Sequence, residues 1–371
     1  MRRYLPSIVL AAVTVATAPF LGLLRDALLK AFPGGAIRGL ALGLGAVAVV
    51  LFLVAVARIR EHRVLRYGGL LGVAGLLWLQ TVGWSTNLPE VDVVERIHIL
   101  QYGTLAALLY LANPRRPADL RALAIPLLGT ALVGALDESV QAFFQLRTGD
   151  VRDVALNAFA GVCGLLFALV MFPPGGLRLG AQPPSMRRLA LLAAATLLVA
   201  GLFLDFAHLG YEVHDPEIGR WRSWFTLEEL ESLSEDRSRR WAADPPRELV
   251  AWHREDYYLT EAAWFANHRN AAYAVGDWRA AAQSNRILEA HYGPFLDLDS
   301  FRGAGRHRFG PGQRAELEAK APPPDPAADV SPVLAHRIWI RPAKGPFRVA
   351  LLAAVALLAA APRLTSALRR G

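Results

Sequence analysis

The chain is poor in charge and nearly devoid of cysteine. Only 19% of its 371 residues are Asp, Glu, Lys or Arg, against about a quarter in an ordinary soluble domain. Its single cysteine, Cys163, excludes a disulfide within the chain and any cysteine-based metal site. Set in an apolar run, Cys163 is expected to be a small buried packing residue. No GxSxG, HExxH or Walker A motif occurs, nor a GxGxxG in its strand–helix context, which removes the familiar soluble-enzyme classes. What fills the space is hydrocarbon. The chain is 54% hydrophobic with a mean hydropathy of +0.29, and the excess comes in blocks, the mark of a membrane protein.

Eight blocks can be read, at 5–24, 37–57, 67–84, 93–112, 120–137, 154–172, 189–207 and 347–361. Most approach the ~20 residues that cross a bilayer core. The last is shorter and could instead lie in the interface. The first could be a retained helix or, with Ala16-Thr17-Ala18, a cleaved signal. The net charge of +8 does not point to nucleic acid, because of where it lies. Residues 209–345 hold 18 basic and 21 acidic residues, and the remainder 22 and 11. The basic surplus therefore sits in short segments beside the blocks, where it reports topology. With a cytoplasmic N-terminus, the inner segments carry 15 Arg and the outer short loops 6 Arg or Lys. On that count, 138–153 and 209–345 face outward.

The reading is an all-α, polytopic transmembrane helix bundle of about eight spans with a small extracytoplasmic helical domain. Its parts are N-terminal helices at 1–66, a membrane domain at 67–172, a seventh helix at 173–208, the outer domain at 209–345 and a last helix with a basic tail at 346–371. The outer segment holds seven of the nine tryptophans. Thr226 and Glu229 read as a capping box. Residues 260–275 and 278–292 read as a helix pair with Gly276 as stop and Asp277 as N-cap. Tyr273, Gly276, Asp277, Trp278 and Ala281 resemble the core of one tetratricopeptide-type repeat. The Gly, Pro and Ala of 303–335 predict a loose tether.

The polar residues inside the membrane domain are the candidates for chemistry, because charge beside hydrocarbon is rarely there by drift. Glu95, His98 and Tyr102 share one face of the fourth helix. Asp137, Glu138 and Gln141 end the fifth, Arg147 follows, and Asp150, Asp153 and Asn157 open the sixth. Topology puts all of them at one depth. His98 suits proton transfer near neutral pH. The carboxylates Asp137, Glu138, Asp150 and Asp153 would suit a divalent cation such as Mg²⁺. Arg147 suits a phosphate or carboxylate. Plainer roles compete: Tyr102 as an interfacial anchor, Asn157 as an interhelical hydrogen-bond partner and Asp150 as an N-cap. Arg152 is expected to face lipid head groups, and Asp205 and His208 to be solvated. His253, His268 and His291 have no metal spacing and read as surface or core histidines.

This order of residues, Glu95, His98 and Tyr102, then Asp137, Glu138, Gln141, Arg147, Asp150, Asp153 and Asn157, followed by Gly161 and Gly164, resembles the VanZ-like membrane protein family. The resemblance covers roughly 67–172. It implies an envelope protein linked to glycopeptide antibiotic susceptibility, but no defined reaction. Three functions stay open: an enzyme or carrier for lipid-linked, phosphate-bearing envelope material; a scaffold or binding protein whose polar residues close on one another while the outer domain binds a protein partner; and a transporter.

Overall fold

All eight apolar blocks are helical in the computed structural model, which describes residues 2–32, 35–84, 89–113, 118–142, 149–175, 177–178, 183–246, 254–298, 307–331, 338–339 and 344–368. A 3-10 turn leads into α1 (Leu5–Ala31), followed by α2 (Gly35–Arg58), α3 (Arg63–Gly83) and α4 (Pro89–Ala112). A two-residue strand β1 (Ala118–Asp119) precedes α5 (Leu120–Ala142) and α6 (Val151–Met171). Strand β2 (Leu177–Arg178), parallel to β1, precedes α7 (Pro183–Phe203). A π turn at Leu204–His208 leads to β3 (Leu209–Asp215), β4 (Gly219–Ser223), α8 (Leu227–Trp241), α9 (Arg254–Val275) and α10 (Trp278–His291). Then come α11 (Gly293–Leu296), α12 (Pro311–Lys320), β5 (Ile338–Trp339) and α13 (Lys344–Leu368).

Six of the described helices are long and apolar enough to cross a membrane: Arg2–Phe20, Ile37–Arg58, Leu120–Ala142, Val151–Met171, Met186–His208 and Lys344–Pro362. Helices α3 and α4 have the length but not the composition. Arg63, Arg66 and Gln80 dilute α3, and Glu95, Arg96, His98 and Gln101 dilute α4. Two of these residues, Glu95 and His98, belong to the polar face of α4.

The chain divides into two compact units. The first comprises residues 1–141, 146–203 and 350–371. Its centre is the pair α4 and α6, which meet where Gly103 lies against Gly164. Gly134 gives similar room to Asn157, and Gly161 to Thr130. Small residues let helix backbones approach where no hydrophobic force separates protein from lipid. The C-terminus of α6 is closed by a cation: Arg66 donates from Nε to Val170 O (2.8 Å) and from Nη2 to Met171 O (3.0 Å). Those carbonyls have no intrahelical donor, and a guanidinium also suits the negative end of the helix. Tyr110 adds a hydroxyl donor to Phe172 O (2.8 Å).

The second unit comprises residues 142–145 and 204–349. Here the all-helical expectation needs amending, because β3 and β4 form an antiparallel hairpin and β5 pairs with β3 in parallel. Asp215 sets the turn by accepting from the backbone N–H groups of Glu217 (2.7 Å) and Ile218 (3.1 Å). Gly219 leaves it at φ +115°, open to glycine. In β4, Trp221 and Ser223 point inward while Arg220 and Arg222 are half-buried, an alternation legible in the sequence. The core gathers Trp221, Leu230, Tyr258, Phe265, Tyr292 and Phe295 between the hairpin and helices α8 to α11. The capping box of Thr226 and Glu229 forms, and Gly276 (φ +78°) and Asp277 separate α9 from α10.

Two expectations fail in this unit. The described part of the tether, 307–331, is laced to the helix pair rather than loose. Phe309 and Leu317 pack on Ala272, Ala281 and Ala282, and Ala328 O accepts from Arg220 N (2.8 Å) and Gln283 Nε2 (2.9 Å). Gly- and Pro-rich chain has few side chains to bury, but its carbonyls still need donors. Asp205 and His208 are buried rather than solvated. Asp205 receives Arg348 as a two-pronged pair, Nη2 at 2.9 Å and Nε at 3.0 Å, the usual way a charge leaves water.

Candidate functional site

The polar faces of α4, α5 and α6 meet inside the first unit. His98 and Tyr102 lie one turn apart on α4 and turn toward α5 and α6. Tyr102 is fully buried, and its hydroxyl donates to Asp137 Oδ2 (2.6 Å). His98 Nδ1 lies 2.9 Å from Asn157 Oδ1, a contact in which the Nδ1–H tautomer donates to the amide oxygen. Gln141 Nε2 donates to both neighbouring carboxylates, Asp137 Oδ2 (3.3 Å) and Glu138 Oε1 (3.2 Å). The other oxygen of Glu138 accepts from the backbone N–H of Asp150 (3.2 Å). Glu138 and Asn157 are also fully buried, and Asp137, Gln141 and His98 nearly so. The hydrogen bonds thus run from α4 to α5 and on to the start of α6, with a separate α4–α6 bond through His98.

Four expected members have other placements. Asp150 is the N-cap of α6: its Oδ1 accepts from Arg152 N (2.8 Å), so the plain role holds. Asp153 lies in the first turn of α6, half-buried. Glu95 is engaged by Arg152, whose two terminal nitrogens donate to its two oxygens at 2.7 and 3.0 Å, while Nη2 also reaches the Trp84 carbonyl. Arg152 is therefore spent on Glu95 rather than left free for lipid head groups, because a planar fork matches a carboxylate. Arg147 falls outside the described residues. Tyr102 is no interfacial anchor, since its hydroxyl is spent inside. Cys163 is buried, as a packing residue should be.

The four carboxylates are not gathered around one point. Asp137 and Glu138 turn to Tyr102 and Gln141, while Asp150 caps its own helix. Among the described residues no group of three or more His, Cys, Asp or Glu side chains could hold a metal ion. The bond from Gln101 Nε2 to Thr14 Oγ1 (2.8 Å), which ties α4 to α1, was not anticipated. Its signal was the polar pair Ser7 and Thr14, seven residues apart in the first block.

The second unit buries ionisable groups of its own. Glu261 is fully buried and accepts from Ser223 Oγ (2.7 Å), Trp224 N (2.6 Å) and Tyr292 Oη (2.6 Å). Burial pushes its carboxyl up to about 7 against those bonds, which favour the charged form. Burial also lowers His268, His291 and His307 below the ordinary histidine value. His291 is packed on Trp221 (ring centroids 5.0 Å), and neither of its nitrogens has a partner among the described residues.

The signs give a testable pH dependence. A histidine held neutral stabilises the fold above its unfolded value of 6.5, and that contribution is lost as pH falls. Glu261 acts oppositely: its contribution is present below 4.5 and lost as pH rises toward 7. His291→Phe removes one of the groups that must stay neutral, so the melting temperature of the variant relative to the parent, followed by tryptophan fluorescence, should be higher at pH 5.5 than at 7.5. A difference independent of pH would place the acid sensitivity elsewhere.

Comparison with protein-family models, curated proteins and solved structures gives no match to this chain.

Proposed function

We infer that the chain is a multi-pass membrane protein of the cell envelope, with a cytoplasmic N-terminus, eight bilayer-crossing helices and residues 209–345 on the outer side. In this reading the cluster of α4, α5 and α6 is a structural network that sets how three helices meet. Binding belongs to the outer domain, toward a protein partner or envelope material. The observation that carries it is bonding between helices. Tyr102, Glu138 and Asn157 are fully buried, and each is bonded to a residue of another helix or of the turn before α6, although Asn157 Nδ2 has no partner among the described residues. Bonds between buried polar groups of different helices define helix register. The order of polar residues supports kinship with the VanZ-like proteins, and with it a link to glycopeptide susceptibility.

A second reading rests on a separate observation. Two adjacent carboxylates and a histidine are kept inside a bundle of apolar helices, where ionisable groups are expensive and usually functional. In that reading His98, Asp137 and Glu138 move protons while lipid-linked, phosphate-bearing material is processed.

Asp137→Asn and Tyr102→Phe separate the two. A structural network predicts a loss of about 1–3 kcal/mol for each, the range for breaking a buried hydrogen bond. This would appear as a lower melting temperature of the purified full-length protein. Envelope lipids, glycan precursors and teicoplanin susceptibility would then change only as far as the amount of folded protein changes. Variants that melt like the parent yet alter one precursor would instead establish turnover.

A further inference from the structure

The turn from α2 into α3 gathers Arg58, Arg60, Arg63 and Arg66 within nine residues, against the single carboxylate of Glu61. None of the four is paired with a carboxylate among the described residues. Two are spent on the fold. Arg58 lies over the Phe172 ring (4.4 Å to its centroid), and Arg66 donates to Val170 O and Met171 O. Arg60 and Arg63 are exposed and have neither hydrogen bond nor ion pair among the described residues.

The turn that presents them is fixed in place. Ile59 is buried against Ala55 and Met171, and its N–H donates to Ala55 O (2.9 Å). His62 reverses the chain at φ +49°, a conformation histidine adopts more readily than most residues, and its carbonyl accepts from Arg66 N (3.0 Å). Next to the free cations, the first turn of α3 holds out Val64 and Leu65, 90% and 78% exposed. The two kinds of side chain have different demands. A guanidinium suits a phosphate, and an aliphatic side chain suits hydrocarbon. Nucleic acid or an acidic polypeptide would match the arginines and leave the aliphatic pair in a polar contact. A choline lipid would match the aliphatic pair and set its own cation against the arginines. A phospholipid with net negative charge answers both.

We propose that the α2–α3 turn docks an anionic phospholipid, its phosphate held by Arg60 and Arg63 and its acyl chains against Val64 and Leu65. Clustered arginines at the end of a spanning helix attract anionic lipid in this way. The inference rests on reading α2 and α3 as bilayer-crossing, which puts the turn at the inner leaflet. It uses no residue of the network of Tyr102 and Asp137.

The test is native mass spectrometry of the full-length protein in detergent with short-chain phosphatidylglycerol or phosphatidylcholine. Glycerophosphoglycerol serves as a water-soluble arm. Phosphatidylglycerol should bind about twentyfold tighter than phosphatidylcholine, roughly fivefold for each free arginine beside an anionic lipid. Arg60→Gln combined with Arg63→Gln should erase most of that ratio. The melting temperature of the lipid-free protein should not change, because neither side chain is bonded to the fold. Val64→Gln combined with Leu65→Gln should weaken both lipids alike and keep the ratio. Arg187→Gln combined with Arg188→Gln, at two other exposed cations near the start of α7, should leave it intact. A preference that survives the loss of Arg60 and Arg63, or falls equally with Arg187 and Arg188, would overturn the proposal. Glycerophosphoglycerol binding as tightly as the lipid would overturn the bilayer as its source. Release of the chain from membranes by an alkaline wash would overturn the bilayer-crossing reading. Retention with equal binding of the two lipids would overturn the docking turn alone.

Discussion

Gly164→Ala should be enough to prevent normal assembly of the membrane unit, and Gly164→Val should abolish it. A Cβ at this position would overlap the carbonyl oxygen, carbonyl carbon and Cα of Gly103, all of them backbone atoms. Overpacking against side chains typically costs about 1–3 kcal/mol, because rotamers can yield. Here nothing can rotate away, so α4 and α6 would have to separate. Separation would carry His98 from Asn157 and Tyr102 from Asp137, exposing the polar groups of the network to hydrocarbon. The expected readout is loss of the monodisperse peak in size-exclusion chromatography of detergent extracts. Gly161→Ala is the control. Its Cβ would meet the Thr130 side chain, which can turn, so a milder loss is expected there. A Gly164→Ala protein with parental yield and melting temperature would mean that α4 and α6 do not pack at this distance.

Glu261→Ala should unfold the second unit. It would leave three donors without their acceptor, and two of the side chains involved, Ser223 and Tyr292, are fully buried. Each abandoned buried donor costs about 1–3 kcal/mol. Against a total stability of about 5–15 kcal/mol for an ordinary domain, the sum is decisive. Seven of the nine tryptophans lie in 209–345, so fluorescence reports this unit selectively. The expected result is a tryptophan transition shifted down by many degrees or already lost at room temperature. Glu261→Gln keeps one acceptor oxygen and should fall between. The raised carboxyl adds a sign: the parent loses its Glu261 contribution as pH rises from 4.5 toward 7, and glutamine does not titrate. The deficit of Glu261→Gln should therefore be larger at pH 5 than at pH 8. A deficit that grows with pH would show the carboxyl to be charged in the fold.

Helix content was legible because hydrophobic blocks of bilayer length have few alternatives, and all eight are helical. The caps at Thr226, Asp150 and Asp277 were legible for a local reason: each needs only a side-chain oxygen and an N–H two or three residues on. The convergence of His98, Tyr102, Asp137, Glu138, Gln141 and Asn157 followed from helical spacing and the order of the helices. The hairpin of β3 and β4 was missed although its turn chemistry and the alternation around Trp221 were present, because the surrounding helix signals were stronger. Arg152 and Asp205 were misjudged because each pairs with a residue far along the chain, Glu95 and Arg348.

What the sequence determined alone is therefore local: where helices run, where they begin, and which of their faces are polar. Those properties depend on residues within a few turns of one another. Only the tertiary structure decided which polar group meets which. It closed Tyr102 on Asp137 and His98 on Asn157, and turned Arg152 onto Glu95. Pairing of that kind depends on how closely helices approach, and Gly103 against Gly164 sets that distance. No reading of one segment at a time contains it.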